Sequence, residues 1–196
     1  MSQLGHNKGP SMEAGTSWRT HCWKKARREL LPTLPIEILR RRVARAAELG
    51  LDYTSYASIR AASGHDVVAF LFSSNALRVF PKAPALPQAR AAKLERVKNA
   101  RRLAALHAPL TPKALARALP QGLHPLFEAS FTAPDFSQTW GQERAAILQQ
   151  TQGLGLPRDG VVVVGDTSTE HAWSEAARLA GYVSAERFFE TAQTGR

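Results

Sequence analysis

Four consecutive valines fill positions 161–164, bracketed by Gly160 and by Gly165-Asp166. β-Branched side chains are stiff at χ1 and crowd the turns of a helix, so a run of this kind favours a strand. A second run, Val67-Val68-Ala69-Phe70-Leu71-Phe72, lies between Gly64 and Ser73-Ser74-Asn75. It is apolar at every position instead of every second one. A short, bounded run of that type is the pattern of a strand buried on both faces, as in a parallel sheet covered by helices.

The segments around these runs alternate in period. Residues 36–49 predict a helix, with Leu39, Val43 and Ala46 or Ala47 recurring at three to four and Gly50 at the C′ position. Residues 52–62 predict another, capped by Asp52 and stopped by Gly64. Residues 88–102 read as a basic amphipathic helix and residues 103–106 as a second strand. Thr111 and Pro112 open a helix over residues 112–119. Residues 128–132 read as a third strand and residues 142–152 as a helix. Thr167, Ser168 and Thr169 start a helix that is expected to run through Ala180 and stop at Gly181. Alternating strands and helices imply an α/β fold with a mostly parallel sheet.

Ahead of this core, residues 1–16 are polar and glycine-rich and are expected to be disordered. Residues 17–64 form a basic helical N-terminal segment, and residues 65–190 the α/β domain. A short basic helix is expected over residues 17–31, where Trp18 and Trp23 either dock it on the main domain or stack on bases. A length of 196 residues suits one domain with such an appendage.

Charge divides the chain. Residues 1–117 hold 21 Lys and Arg against 7 Asp and Glu, whereas residues 118–196 hold 5 against 9. A basic front half suits contact with nucleic acid or an acidic protein, and Arg40, Arg41, Arg42 and Arg45 are the candidate contacts. The alternative is a solvated, arginine-rich helix face. The single cysteine, Cys22, cannot form an internal disulfide and has no metal-type spacing around it, which suits a reducing, cytoplasmic setting. The first ten residues lack the apolar region of a secretory signal, and the longest apolar run is too short to span a bilayer.

The segment Gly160-Val161-Val162-Val163-Val164-Gly165-Asp166-Thr167-Ser168-Thr169-Glu170, with Ala180-Gly181 behind it, resembles the fourth motif of the haloacid dehalogenase-like (HAD-like) superfamily. Upstream, Gly122-Leu123-His124-Pro125-Leu126-Phe127-Glu128 is similar to that family's Gly-Leu…Phe-Asp turn. The resemblance covers roughly residues 66–183 and implies an α/β Rossmann-like fold of the HAD type. The alternative is an unrelated α/β domain with a tight Gly-Asp turn.

The family's first motif, a strand followed by Asp-x-Asp-Gly-Thr, falls on Ser73, Ser74, Asn75, Ala76 and Leu77. The resemblance therefore places Ser73 at the nucleophile position and Asn75 at the acid/base position. His107 falls where the second motif has Ser or Thr. No lysine follows Lys113 to serve as the third motif's cation, and Arg144 is the nearest substitute. Asp166 and Glu170 remain as Mg²⁺ ligands if a metal binds. Mg²⁺ needs several anionic oxygens, Asn75 cannot exchange a proton as Asp does, and Ser73 needs a base. The expected function is thus a HAD-like protein that has lost phosphohydrolase chemistry and binds an anionic or phosphorylated partner, with no cofactor. The alternatives are an active hydrolase with a rearranged site and a basic nucleic-acid-associated protein.

Two further expectations attach to the site. Ser73, His107 and Asp166 would share one cleft, but the family's strand order sets His107 and Asp166 on either side of Ser73, roughly 9–10 Å apart, too far for a hydrolytic relay. The start of the helix at Thr167 and Ser168 would hold an anion only if a cation offset Asp166; otherwise Asp166 caps the turn.

Overall fold

The computed structural model describes residues 34–119, 126–135 and 137–190. The expected disordered tail, the basic helix with Trp18 and Trp23, Cys22, and Gly122 to Pro125 of the upstream turn lie outside the described residues. The chain divides into two compact units, residues 1–39 and 40–196.

Helix α1 spans Ile36–Glu48 and α2 spans Tyr53–Ser63. Asp52 caps α2 by accepting the Ser55 N–H at 2.9 Å, and Gly64 ends it at φ 77°, a left-handed conformation that glycine enters without a Cβ penalty. Strand β1 is Ala69–Ser73, followed at once by a single turn of helix, α3, at Ser74–Leu77. Then come α4 (Gln88–Glu95), β2 (Arg101–Leu106), α5 (Pro112–Ala118), β3 (Ala129–Thr132) and α6 (Trp140–Gly153). The chain closes with β4 (Val161–Gly165), α7 (Ser168–Ala176), β5 (Gly181–Ser184) and α8 (Ala185–Glu190).

All five strands are parallel, in the order β3-β2-β1-β4-β5. This is an α/β Rossmann-like sheet with helices on both faces. Strand β1 is central, with Leu71 opposite Leu103 of β2 and Val163 of β4. The unbroken apolar runs have the reason expected of them. Phe70, Phe72, Val162 and Val164 point into one layer with Leu49, Tyr56 and Phe188, while Ala69, Leu71, Val161 and Val163 point into the other with Ile147, Trp173 and Ala177. Each of these large side chains, withdrawn fully from water, contributes roughly 1.5–3 kcal/mol. Among the described residues no helix is long and apolar enough to cross a membrane.

Three of the expected helices differ from the sequence reading. The helix expected over residues 88–102 stops at Glu95, because Asn99 turns left-handed at φ 55° and Arg101 and Arg102 enter β2. The helix expected to reach Ala180 stops at Ala176. Arg178 turns left-handed at φ 51°, and Gly181 opens β5 instead of ending a helix. In α1, Val43 is 47% exposed, and the face turned inward carries Ala46 with Leu49 beyond it.

Candidate functional site

In an open parallel sheet the carboxyl ends of the strands face a crevice where neighbouring connections leave in opposite directions. Here that place lies between β1, whose connection leads to β2, and β4 on its other side. It gathers Ser73, Ser74 and Asn75 at the end of β1, His107 after β2, and the turn from Asp166 to Glu170 after β4.

Ser73 is fully buried, and its Oγ accepts the Ala76 N–H at 2.9 Å, capping α3. Ser74 points elsewhere. Its Oγ accepts the His107 N–H at 3.2 Å and meets His107 Nδ1 at 2.9 Å. In a neutral imidazole protonated at Nε2, the Ser74 hydroxyl donates to Nδ1. The ring stacks on Trp173, with centroids 5.3 Å apart and planes at 27°. Burial pushes the His107 pKa below its ordinary value of 6.5, partly opposed by Glu170, whose Oε1 lies 3.7 Å from Nε2.

Glu170 is the hub. It is fully buried, and donors converge on both of its oxygens. Oε2 accepts the Asp166 N–H and, at 2.8 Å, the Thr167 N–H. Oε1 accepts from Asn75 Nδ2 at 2.9 Å. Thr167 Oγ1 accepts the Glu170 N–H in return at 3.4 Å, completing a capping box at the start of α7. Gly165 makes the turn possible, since a Cβ there would sit 2.7 Å from Glu170 Cβ and 2.8 Å from Tyr182 Cε2. Asp166 turns outward and pairs with Arg78 at 3.3 Å. Ser168, on the exposed side of the turn, is the first residue of α7.

The structure thus bonds Ser74 to His107 and Asn75 to Glu170, sets His107 Nε2 3.7 Å from Glu170 Oε1 between the two pairs, and leaves the Ser73 and Asp166 side chains out of this chain. Ser74, His107 and Glu170 are the residue types of a hydrolytic relay. Yet the Ser74 side of the chain is closed, with Ser74 only 1% exposed and Ser73 0%. A hydroxyl that a substrate carbon or phosphorus cannot reach is no nucleophile.

Mg²⁺ does not fit either. A hard cation needs several oxygens aimed at one point. Glu170 spends its oxygens on backbone N–H groups and on Asn75, Asn75 turns its amide nitrogen to Glu170, Ser73 is a helix cap, and Asp166 faces Arg78. Among the described residues no cluster of three His, Cys, Asp or Glu side chains is placed to hold a metal.

Beside His107 opens a pocket of about 390 Å³, lined by Asn75, Thr132, Asp135, Gln138 and Thr167 among others. Thr132 ends β3, and Asp135 and Gln138 come from the loop after it. Nothing in that stretch of polar residues marked it in the sequence. A more open depression at Ser184, Glu186, Arg187 and Glu190 lies at the end of β5 and along α8 and holds none of the chain described above.

The basic candidates separate as well. Arg45 is committed to the amino end of the sheet, where Nε meets Asp66 Oδ2 at 2.9 Å and the guanidinium reaches Val67 O at 2.9 Å, Asn99 O at 3.0 Å and Glu48 Oε2 at 3.0 Å. Arg40 and Arg41 are exposed and Arg42 is half-buried.

No protein-family profile matches the chain, and no curated protein matches it. Among solved structures it is similar to an uncharacterized protein from Listeria monocytogenes serotype 4b, at 12% sequence identity and a TM-score of 0.47, covering 60% of this chain and 78% of that one. At that level the likeness carries no functional argument.

The depressed His107 pKa has a consequence for stability. The unfolded chain takes up a proton near pH 6.5 and the folded chain resists it, so this contribution is present above pH 6.5 and is lost as pH falls below it. Carboxylate losses come lower. Asp52, where the Ser55 hydroxyl and Arg187 outweigh burial, is lowered to about 2, so its share fades only below its ordinary 3.8. Between about pH 7.5 and 5 the melting temperature of the wild type is expected to fall more steeply than that of His107→Gln. Parallel slopes would show that His107 is not held neutral.

Proposed function

We propose that this chain is a HAD-like α/β protein in which the phosphohydrolase site has become a structural hydrogen-bond network, leaving a binding module with a pocket at the carboxyl end of the sheet. One observation carries the reading. Glu170, at the position where the resemblance puts a metal ligand, is fully buried and accepts three hydrogen bonds, from Asp166, Thr167 and Asn75. Both lone pairs of Oε2 and one of Oε1 are taken by fixed donors, which leaves one site where Mg²⁺ needs several oxygens aimed at one point.

Three other features support it. Strand β1 lies between β2 and β4, the arrangement that the resemblance implies. The nucleophile position holds a buried helix cap, Ser73. Asp166 has a cation, Arg78, where a HAD-like site needs a metal.

A Mg²⁺ titration followed by thermal unfolding tests this directly. The wild type is expected to respond to MgCl₂ no more than to NaCl of equal ionic strength, because a ligand that binds only the folded state raises its stability and none binds here. A saturable rise in melting temperature that disappears in Asp166→Asn would overturn the proposal.

A further inference from the structure

We infer that the pocket beside His107 takes a small molecule that presents N–H or O–H donors and carries no negative charge, and that it discriminates against the phosphorylated form of the same molecule. The inference rests on the binding-module reading and specifies its ligand.

The charge of the lining carries the first half of the case. Among the described residues no Lys or Arg lines the pocket, and Asp135 does. The Ser137 N–H bonds Asp135 Oδ1 at 2.8 Å and holds the carboxyl below the usual carboxylate range, so it is an anion at neutral pH. Arg78 faces Asp166 and is not part of the lining. His107 adds no compensating charge, since burial favours its neutral form.

The second half is hydrogen-bond polarity. Glu170 accepts from Asn75 Nδ2 at 2.9 Å, which fixes which way the amide points and leaves its carbonyl oxygen as the atom available to a ligand. Asp135 also offers an acceptor. The start of α7 would ordinarily favour an anion, because its first N–H groups point outward without partners. Here two carboxylates of the protein already stand at that end, Glu170 buried against the Asp166 and Thr167 N–H groups and Asp166 beside it, and the Glu170 N–H is taken by Thr167 Oγ1. The positive end of α7 is thus already met by the protein's own carboxylates, while acceptors remain at the pocket. A volume of about 390 Å³ accommodates a molecule of nucleoside or monosaccharide size.

The test uses the full chain and matched pairs: adenosine with AMP, cytidine with CMP, glucose with glucose 6-phosphate, and agmatine as a cation. Binding is read by thermal shift and by ligand-observed NMR. At least one uncharged or cationic member is expected to bind, and where it has a phosphorylated partner that partner binds about ten-fold more weakly or worse. Asp135→Asn, at an exposed position, is expected to weaken the bound member by about ten-fold, and Asp135→Lys to reverse the preference within the pair. Tighter binding of any phosphorylated member, binding by none of the uncharged or cationic members, or indifference to both Asp135 substitutions would overturn the inference. Hydrolysis of a phosphoester by the protein is a separate result. It would remove the non-catalytic reading and leave the charge preference to be judged on these pairs.

Discussion

Glu170→Ala is expected to lower the melting temperature by roughly 6–12 °C, the largest effect of any single change at the carboxyl end of the sheet. The substitution deletes the acceptor of the Asp166 and Thr167 N–H groups and of Asn75 Nδ2. It also removes one half of the capping box of α7. Hydrogen bonds to a charged group contribute about 1.5–3 kcal/mol each when measured singly, and a lost cap costs about 1 kcal/mol. Asp166 and Thr167 sit at the surface, so water recovers part of what their N–H groups lose. A net cost on the order of 3 kcal/mol follows, and each kcal/mol moves the midpoint by roughly 2–4 °C in a chain of this size. Glu170→Gln keeps one carbonyl oxygen and is expected to cost about half as much. A metal-ligand carboxylate would behave oppositely, since removing such a group from an empty site relieves repulsion. Thermal unfolding of the purified variants decides between the two, and an unchanged or higher midpoint for Glu170→Ala would refute the structural role.

The second large effect is Gly165→Ala. The added methyl would lie 2.7 Å from Glu170 Cβ, 2.8 Å from Tyr182 Cε2 and 2.9 Å from Glu170 Oε2. None of these neighbours yields easily. Glu170 is pinned by its donors, and Tyr182 belongs to β5, paired with Val163. Overpacking of this kind costs about 1–3 kcal/mol, a fall of roughly 2–12 °C, and it should loosen the Glu170 network at the same time. Gly153, where an added methyl would meet nothing within 4 Å, is the control, and Gly153→Ala is expected to be neutral or slightly stabilising. Differential scanning fluorimetry of the pair measures the contrast, and equal midpoints would mean that the β4–α7 turn has more room than the geometry gives it.

Much of the fold was legible because its strongest signals are local. Four consecutive valines favour a strand by their own stiffness, and Asp52 with Gly64, or Thr111 with Pro112, mark helix ends by local backbone chemistry. The parts that were not legible depend on tertiary context. Residues 88–102 have a passable helical pattern, but Arg101 gains more from pairing β2 against Val68 O than from another helical turn. Gly181 resembles a helix stop because glycine serves both there and at the start of a short strand such as β5.

The site follows the same division. That Ser73, Asn75, His107 and Asp166 belong to one end of the sheet could be read from the strand ends. Which of two adjacent serines turns toward His107 could not, since Ser73 and Ser74 are chemically equivalent and only the bend from β1 into α3 separates their directions. The role of Glu170 was written in the sequence in another form: Thr167 followed three residues later by Glu is the pattern of a capping box. Read as a metal-ligand spacing, the same residues point to catalysis, and only the observed donors show which use the fold makes of them. Arg45 likewise looked like one more solvated arginine until Asp66, 21 positions away, came into reach.

The measurement that tests the central claim most directly is hydrolysis of an aryl phosphate by the full chain, with and without Mg²⁺, beside Asp166→Asn. No turnover above the protein-free rate is expected from either protein under either condition. Mg²⁺-dependent turnover by the wild type that Asp166→Asn abolishes would contradict the account, because it would require the carboxylates at the end of β4 to leave Arg78 and the capping box and assemble around a metal.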